Sequence, residues 1–218
     1  MPNTPRIAVV DYGMGNLYSV CHACRHVGLE AFVTGDPEEV FRASAVILPG
    51  VGAFGDAMAT LRSLGMVEAL RNYAATGKLL FGICLGLQLL MERSYEFGEH
   101  EGLGLIPGEV VRFPDAVMGV RRIKVPQIGW NRVKEARPGA WVGTPLEPLR
   151  DGVYQYFVHS YIARPALDDF VVARTVYGDV AFCSAAAAGN IFACQFHPER
   201  SGPQGIHIYE QFAALVSS

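Results

Sequence analysis

Short apolar runs separated by helical patterns are the feature of this sequence that most restricts its fold. The largely apolar runs are Arg6–Tyr12, Ala31–Thr34, Ala45–Leu48 and Leu79–Ile83. Patterns typical of helices lie at about Leu17–Val27 and Phe54–Ala75. Strands this apolar are buried on both faces, which is typical of a parallel sheet flanked by helices. The first half of the chain is therefore predicted to form an α/β fold.

The second half of the chain has a different pattern. Strand-like runs separated by turns lie at Gly108–Phe113, Gly152–Val158 and Phe170–Arg174, and a helical pattern follows at Ile206–Val216. Neighbouring strands without helices between them favour antiparallel pairing. We therefore expect a central, mostly parallel sheet flanked by helices, with an additional antiparallel portion in the C-terminal half. Since no repeat, linker or clear boundary divides the sequence, residues 1–218 are predicted to form a single domain.

The composition argues against several classes of protein. Half of the 218 residues are hydrophobic and 18% are charged, which is typical of a compact globular chain. The formal net charge is −3, and no stripe of lysine and arginine is interleaved with aromatic residues, so nucleic acid is not an expected partner. No apolar run approaches the roughly 20 residues that a membrane span needs. The N-terminus enters a strand pattern without the features of a signal peptide, and we therefore predict a cytoplasmic location.

The five cysteines do not indicate a disulfide framework, because their number is odd and the chain is predicted to be cytoplasmic. Cys21 and Cys24 have the C-x-x-C spacing of redox motifs and zinc half-sites, but no second ligand pair stands at matching spacing. The segment also has helical periodicity, with Val20, Cys24 and Val27 on one apolar stripe. We interpret these two cysteines as helix packing residues and predict no metal site.

Cys84 lies between two glycines where a strand pattern gives way to a helical one, predicted at Leu87–Glu92. A nucleophile elbow needs a sharp strand-to-helix turn, and glycines two positions on either side relieve its crowding. Gly82-Ile83-Cys84-Leu85-Gly86 has this G-x-C-x-G form. A helix N-terminus after the cysteine would favour the nucleophilic thiolate. The alternative interpretation is a buried structural cysteine.

A thiol nucleophile needs a base and a group that orients the base. His197 and Glu199 stand two residues apart at the end of a strand pattern. On an extended segment such residues point the same way, so the carboxylate can hold one imidazole nitrogen while the other faces Cys84. The alternative interpretations are a histidine satisfied in the core or at the surface and a solvated acid. The combination with the elbow favours a Cys-His-Glu triad.

These motifs resemble those of the class I, or triad, glutamine amidotransferases. Within that family, the set is similar to the glutaminase subunits of imidazole glycerol phosphate synthases. The motifs that carry the resemblance are Asp11–Leu17, Pro49–Phe54, Gly82–Gln88, Val125–Asn131, Tyr156–Tyr161 and Phe196–Glu199. They follow one another in the expected order over nearly the whole chain. The resemblance implies the class I glutamine amidotransferase fold and the hydrolysis of glutamine through a cysteine thioester.

The resemblance gives the triad residues their roles. Cys84 would attack the glutamine carboxamide, His197 would protonate the departing ammonia and then activate water, and Glu199 would fix the imidazole. The oxyanion would be stabilised by the N–H of Leu85 and by a donor from the loop containing Val51 and Gly52. The alternative interpretation of that loop is a plain turn at the end of a strand.

The resemblance also implies a set of substrate-binding residues. Gln88 lies one helical turn after Cys84, so it can face the same pocket and bind the amino-acid end of glutamine. The segment His159-Ser160-Tyr161 would add contacts around the substrate, and Glu96 is a candidate partner for its ammonium group. The alternative interpretation of Gln88 is an ordinary surface residue of a helix. No cofactor is implied.

Several residues are implied at a partner interface or along an ammonia route: Gly15, Asn16, Gln127, Trp130 and Asn131. The turn with Gly15 is not a dinucleotide fingerprint, because Tyr18 occupies the third glycine position. Gln127 is a departure, since the family commonly has histidine there. Glutamine can donate and accept hydrogen bonds but cannot replace an imidazole in proton transfer. We therefore exclude Gln127 from the catalytic set and predict that it is a loop or interface residue.

A partner subunit is implied as well, because the chain has no segment left over for an ammonia acceptor site. By resemblance the partner is a (β/α)₈-barrel cyclase, which forms a heterodimer with the glutaminase. The cyclase combines ammonia with N′-(phosphoribulosyl)formimino-AICAR-phosphate to give imidazole glycerol phosphate and AICAR in histidine biosynthesis.

Three other functions stay open at the level of sequence. One is a cysteine peptidase on the same scaffold, which would cleave peptides without responding to glutamine. Another is a non-catalytic binding subunit, which the presence of all three triad residues argues against. The nearest is a paralogous amidotransferase that feeds ammonia to a different acceptor, for example in amino-sugar synthesis.

Overall fold

The computed structural model describes residues 5–115, 117–118 and 121–217. The remaining positions of the predicted 1–218 domain lie outside the described residues. The described helices of four residues or more are α1 (Leu17–His26), α2 (Pro37–Arg42), α3 (Phe54–Ser63), α4 (Met66–Ala75), α5 (Leu85–Leu89) and α6 (Gly202–Ser217). Two short 3₁₀ turns, Asp168–Phe170 and Pro198–Arg200, complete the helical elements of these residues.

The strands fall into an N-terminal and a C-terminal group. Those before residue 115 are β1 (Arg6–Val10), β2 (Glu30–Thr34), β3 (Ala45–Gly50), β4 (Leu80–Cys84), β5 (Arg93–Ser94), β6 (His100–Glu101) and β7 (Gly108–Arg112). Those after it are β8 (Val117–Met118), β9 (Arg121–Arg122), β10 (Gln127–Glu135), β11 (Val153–His159), β12 (Tyr161–Pro165), β13 (Val171–Tyr177), β14 (Val180–Ala188) and β15 (Ile191–Cys194).

A nine-stranded sheet in the order β11-β10-β13-β14-β15-β4-β3-β1-β2 forms the centre of the fold. The strands from β2 to β15 in this order pair in parallel, and those from β15 to β11 pair antiparallel. The predicted parallel half with an antiparallel extension is therefore confirmed. Because β15 pairs with β4, the two halves of the sequence share one sheet.

Two apolar layers cover the faces of this sheet. Buried residues of α1 and α6 lie in one layer, represented by Val20 and Phe212, and those of α2 to α5 lie in the other, represented by Val40 and Leu70. Cys24 is fully buried in the first layer, and burial raises the pKa of its thiol to about 12. Cys24 and its neighbour Cys21 are thus packing residues of α1. Among the described residues, no cluster of His, Cys, Asp or Glu is arranged to hold a metal ion.

Several helices differ from the sequence prediction, including α6, which begins at Gly202 and not at Ile206. The region Phe54–Ala75 is two helices, because Gly65 adopts the left-handed conformation with φ of 68°. The helix α2 was not predicted, since only Val40 of its residues is buried and the apolar signal is weak. The helix predicted at Leu87–Glu92 instead begins at Leu85 and ends at Leu89, where the carbonyl groups bind the amides of a later loop, Leu103–Ile106.

A second, four-stranded sheet has the order β12-β7-β5-β6. The chain leaves the large sheet at His159, at the end of β11, and enters the small sheet at Tyr161, at the start of β12. Residues 159–161 therefore connect the two sheets close to the carboxyl end of β4. No helix of the described chain is long and apolar enough to cross a membrane.

Candidate active site

Cys84 occupies a strained turn between β4 and α5. Its backbone φ is 56° and ψ is −108°, an unfavourable conformation for a residue with a side chain. A Cβ atom on Gly86 would lie 1.9 Å from the carbonyl oxygen of Leu48, and one on Gly82 would lie 3.0 Å from Cβ of Ala193. Both glycines are thus required by close packing around the turn. The elbow predicted from the G-x-C-x-G spacing has this physical origin.

His197 and Glu199 form a buried pair. Nδ1 of His197 lies 2.8 Å from Oε1 of Glu199, and the two side chains are 5% and 1% exposed. The other ring nitrogen, Nε2, is buried and makes no hydrogen bond within ordinary geometric limits among the described residues. This nitrogen is therefore available for Cys84.

The pairing of His197 with Glu199 depends on a turn and not on an extended segment, contrary to the sequence argument. His197 has an extended conformation, but Pro198–Arg200 forms a 3₁₀ turn that brings Glu199 back to the imidazole. Ser201 secures this turn, since its Oγ donates to the carbonyl of His197 at 2.7 Å and accepts from the N–H of Tyr156 at 2.9 Å.

The pKa of His197 is strongly affected by its neighbours. Burial of the ring lowers the pKa, but the charge of Cys84 and the hydrogen bond to Glu199 outweigh burial and raise the pKa to about 10. The imidazole is therefore protonated at neutral pH when the thiolate is present. A protonated imidazole beside a thiolate is a nucleophile with its proton donor already in position.

Cys84 opens into a cavity of about 300 Å³. The cavity is lined by Val51, Gly52, Cys84, Leu85, Gln88, Glu96, Pro126, Val158, His159, Ser160 and Tyr161. All the residues that the sequence predicted for the oxyanion hole and for substrate binding are in this lining. His197 and Glu199 are not in it, but His197 lies close enough to Cys84 for the charge of the sulfur to raise the pKa of the imidazole.

Two glutamine side chains connect the cavity wall to the sulfur. Nε2 of Gln88 lies 3.1 Å from the carbonyl oxygen of Tyr161 and 3.0 Å from Oε1 of Gln195. Nε2 of Gln195 lies 3.6 Å from Sγ of Cys84. Gln88 is therefore not an ordinary surface residue of a helix.

Glu96 lies in the cavity wall with one carboxylate oxygen already engaged. Its Oε2 accepts a hydrogen bond from the N–H of Phe54 at 2.6 Å, and this contact ties the start of α3 to the site. Burial raises the pKa of Glu96, although the bond from Phe54 opposes the shift. The predicted contact with the substrate ammonium group therefore depends on the other carboxylate oxygen, Oε1.

Gln127 is a buried residue at the first position of β10, so its assignment to a loop is wrong. Its side-chain amide lies 3.2 Å from Nε2 of His159, whose Nδ1 lies 2.9 Å from the carbonyl oxygen of Tyr161. Burial and, to a smaller extent, the charge of His197 lower the pKa of His159 to about 4, although the bond to the carbonyl of Tyr161 opposes the shift. The neutral ring of His159 donates a hydrogen bond from Nδ1 to the carbonyl of Tyr161, so its Nε2 can only accept. The side-chain amide of Gln127 satisfies Nε2 when its NH₂ group is turned toward the ring.

The loop that contains Val51 and Gly52 is held at its base. The hydroxyl of Tyr12 donates to the carbonyl of Pro49 at 2.8 Å, and a Cβ atom on Gly50 would lie 2.1 Å from that hydroxyl. Gly52 has φ of 106°, a conformation that favours glycine. The base of the loop is therefore held in place by specific contacts.

The other residues predicted for an interface precede α1 or lie on β10. Gly15 and Asn16 precede α1, where Oδ1 of Asn16 accepts from the N–H of Ser19. Trp130 is 55% exposed on β10, and its ring meets that of Tyr156 edge to face at 6.2 Å. Asn131 points elsewhere, since its Nδ2 donates to the carbonyl of Val176 at 2.9 Å.

Gln195 and Tyr12 were missed by the sequence reasoning. Gln195 is a fully buried polar residue in the apolar run Phe192–Phe196, which is an unusual position for glutamine and a usable signal. Tyr12 gave no comparable signal, because a tyrosine at the end of an apolar strand is common.

Comparison with known proteins agrees with this fold and site. The family model described as Glutamine amidotransferase class-I matches residues 8–215. The chain therefore belongs to the class I glutamine amidotransferase family. Two solved structures share the fold. PurLQS of Thermotoga maritima has a TM-score of 0.73 and 22% identity, over 96% of this chain and 97% of that one. A glutamine amidotransferase has a TM-score of 0.72 and 21% identity, over 97% of this chain and 99% of that one.

More specific relatives define the branch of the family. The chain is 48% identical to the imidazole glycerol phosphate synthase subunit HisH of Moorella thermoacetica, over 96% of this chain and 95% of that protein. It is 48% identical to the subunit of the same name from Sulfurimonas denitrificans, over 94% and 96%, and 44% identical to that of Geobacter sulfurreducens, over 96% and 99%. Within the class I amidotransferases, the chain belongs with the HisH subunits.

Proposed function

We propose that this chain is the glutaminase subunit of an imidazole glycerol phosphate synthase, with Cys84, His197 and Glu199 as its catalytic triad. The observation that carries the proposal is the strained Cys84 in the lining of a cavity, close enough to the buried His197–Glu199 pair to raise the pKa of the imidazole. The identity to HisH subunits along nearly the whole chain supports the same function.

In the first half of the proposed reaction, the Cys84 thiolate attacks the side-chain carbonyl carbon of glutamine and a C–S bond forms. The electron pair of the carbonyl moves to its oxygen, which the N–H groups of Leu85 and of the Val51-Gly52 loop stabilise. When the carbonyl re-forms, the C–N bond breaks and the nitrogen leaves as ammonia with the proton of His197. A glutamyl thioester remains.

In the second half, His197 takes a proton from water while the water oxygen attacks the thioester. The C–S bond breaks, glutamate leaves, and the protonated imidazole again faces a thiolate. Glu199 accepts a hydrogen bond from Nδ1 throughout, which fixes the ring orientation and stabilises its positive charge. The proposed reaction uses only groups of the chain, water and glutamine.

The remaining cavity residues are proposed to recognise the amino-acid end of glutamine. Gln88 and the segment His159–Tyr161 line the wall, and Glu96 supplies the negative charge for the substrate ammonium group. A cavity of about 300 Å³ is at the lower end of the usual range for small-molecule sites, which suits a single amino acid.

We further propose a (β/α)₈-barrel cyclase as the partner in a heterodimer. The HisH relatives are named as subunits of a synthase, which supports a second subunit. Ile128, Trp130 and Tyr154 are exposed large side chains on the neighbouring strands β10 and β11, and such residues are common at the centres of interfaces. Gly15 and Asn16 are proposed to lie beside the ammonia route. The single domain over residues 1–218 and the cytoplasmic location stay predictions.

The experiment that tests this function measures glutamate released from glutamine by the purified chain. The assay is run alone and with the cyclase and its nucleotide substrate, with Cys84→Ala as control. We expect strong stimulation by the cyclase that Cys84→Ala abolishes. Activity that depends on the triad but ignores the cyclase would point to the paralogue with another acceptor, and peptide cleavage without glutaminase activity would point to a peptidase.

A further inference from the structure

Gln195 is the one fully buried side chain whose amide approaches the sulfur of Cys84 among the described residues. It follows β15, and its backbone N–H donates to the carbonyl of Ser184 at 2.9 Å, so the main chain is anchored on β14. The side chain is completely buried. Nε2 lies 3.6 Å from Sγ of Cys84, within the range of hydrogen bonds to sulfur.

The carbonyl of Tyr161 determines the orientation of the Gln195 amide, because Gln88 contacts both. The carbonyl oxygen of Tyr161 can only accept, so the atom of Gln88 that contacts it at 3.1 Å must be the NH₂ group. The same NH₂ group contacts Gln195 at 3.0 Å, so Gln195 must present its oxygen there. The NH₂ group of Gln195 is consequently left facing the sulfur.

A hydrogen-bond donor at this position can stabilise the Cys84 thiolate, which the short helix α5 stabilises only weakly. Cys84 is only 6% exposed, so water cannot fully solvate a thiolate there. The helix α5 has five residues and aligns few peptide dipoles, so the sequence argument from a helix N-terminus carries little weight. The thiolate therefore depends on hydrogen-bond donors supplied by side chains.

We propose that Gln195 is a further catalytic residue, whose side-chain NH₂ group donates a hydrogen bond to Sγ of Cys84 and favours the thiolate. Gln88, held by the carbonyl of Tyr161, acts as the positioning residue that keeps the donor turned toward the sulfur. This inference deepens the proposed glutaminase function and rests on it. The thioester step is unchanged in its atoms and electrons, since Gln195 keeps both of its protons.

The other titratable groups around Cys84 are unaltered when Gln195 is changed. Tyr12, Cys194 and His197 lie close enough to interact with its charge, and Glu96 and His159 stand in the same cavity wall. A change in the pH dependence of Cys84 reactivity in Gln195→Met therefore reports the lost donor.

The test measures the rate of alkylation of Cys84 by iodoacetamide against pH in the full chain without glutamine. Mass spectrometry of the peptide containing Cys84 identifies the site, and Cys84→Ala gives the background from the four other cysteines. Gln195→Met keeps the length of the side chain and removes the donor. We expect its alkylation midpoint to rise by about one pH unit, with about a tenfold slower reaction at pH values below the midpoint.

Gln195→Glu keeps nearly the same shape, and an ionised carboxylate at this position both lacks the donor and repels the thiolate. We expect Gln195→Glu to raise the midpoint at least as far as Gln195→Met does. Gln155→Met is the matched control, since Gln155 is also fully buried but its amide atoms make no hydrogen bond with the described residues. Its midpoint should equal that of the unsubstituted protein.

An unchanged midpoint in Gln195→Met would overturn the role of Gln195. If neither variant folds, as judged by near-ultraviolet circular dichroism, Gln88→Met gives the answer. Without Gln88 to hold it, Gln195 should donate less well, so the alkylation midpoint should rise by less than in Gln195→Met. No rise in Gln88→Met would reject the proposal. Failure of the glutaminase function looks different, because Cys84 of the unsubstituted chain would then react no faster than the other cysteines.

Discussion

Nδ1 of His197 lies 2.8 Å from Oε1 of Glu199 across a single 3₁₀ turn, and both side chains are almost completely buried. This contact fixes which nitrogen of the ring is free, since Nδ1 must carry a proton to donate to the carboxylate. The pairing of Nδ1 therefore directs Nε2 to proton transfer. Much of the proposed chemistry depends on this one contact.

Replacing Glu199 with glutamine should reduce glutaminase turnover by about 10²–10⁴-fold, because the neutral amide neither stabilises the imidazolium nor selects the productive tautomer. The KM for glutamine should change little, since Glu199 does not line the cavity. Steady-state kinetics in the complex with the cyclase measures both. A variant with normal kcat would contradict the role of Glu199 in the triad.

The activity should fall at alkaline pH as His197 loses its proton. With the pKa raised to about 10 by Cys84 and Glu199 against the effect of burial, kcat/KM for glutamine should decline as the pH rises through about 10. The same shift stabilises the fold fully below the unfolded value of about 6.5, and this contribution is lost as the pH rises through about 10. In Glu199→Gln the alkaline decline should move toward neutral pH. An unmoved decline would show that another group controls it.

His159 should make the fold less stable in mild acid. Its pKa is lowered by burial to about 4, so between about pH 6.5 and 4 the unfolded chain binds a proton that the folded chain does not. The contribution is present above the unfolded value and is lost as the pH falls. From pH 7.5 to 5.5, the unfolding free energy should drop by about 1 kcal/mol more in the unsubstituted protein than in His159→Gln. Urea denaturation at the two pH values measures this, and equal drops would refute it.

Gly86→Ala should destabilise the protein severely, by several kcal/mol, because its Cβ would lie 1.9 Å from the carbonyl oxygen of Leu48. Gly139→Ala is the matched control. Gly139 has φ of 80° and no atom near the position of a Cβ, so alanine there should cost only about 1 kcal/mol of conformational strain. Thermal and urea unfolding compare the two variants. Similar losses would mean that the backbone at the elbow can move away.

Trp130→Ala should weaken binding of the cyclase by about 2 kcal/mol, as expected for an exposed aromatic residue at the centre of an interface. The exposed Val142, on the segment between β10 and β11, provides the control, and Val142→Ala should leave binding unchanged. Titration of each variant with the labelled cyclase gives the dissociation constants. Equal constants for Trp130→Ala and the unsubstituted chain would place the interface elsewhere.

Much of the site was predictable because its determinants are local in sequence. The glycines on either side of Cys84 are separated from it by one residue each, so the elbow is encoded in five consecutive positions. Apolar strands and helical stripes likewise predicted the α/β architecture. The helix α2 was missed for a local reason too, since Asp36 caps it and Pro37 opens it but only one of its residues is buried.

The partners of the buried polar side chains were decided by tertiary structure. Gln195 contacts Gln88 from 107 positions away, and Gln127 contacts His159 from 32 positions away. These contacts exist because β15 is inserted beside β4 and because β10 pairs with β11, and neither choice of neighbour follows from periodicity. The sequence by itself determined the strained elbow and the residue types of the triad. Only the order of strands in the sheet decided which donor meets the sulfur, since hydrogen bonds between distant residues depend on how the whole core packs.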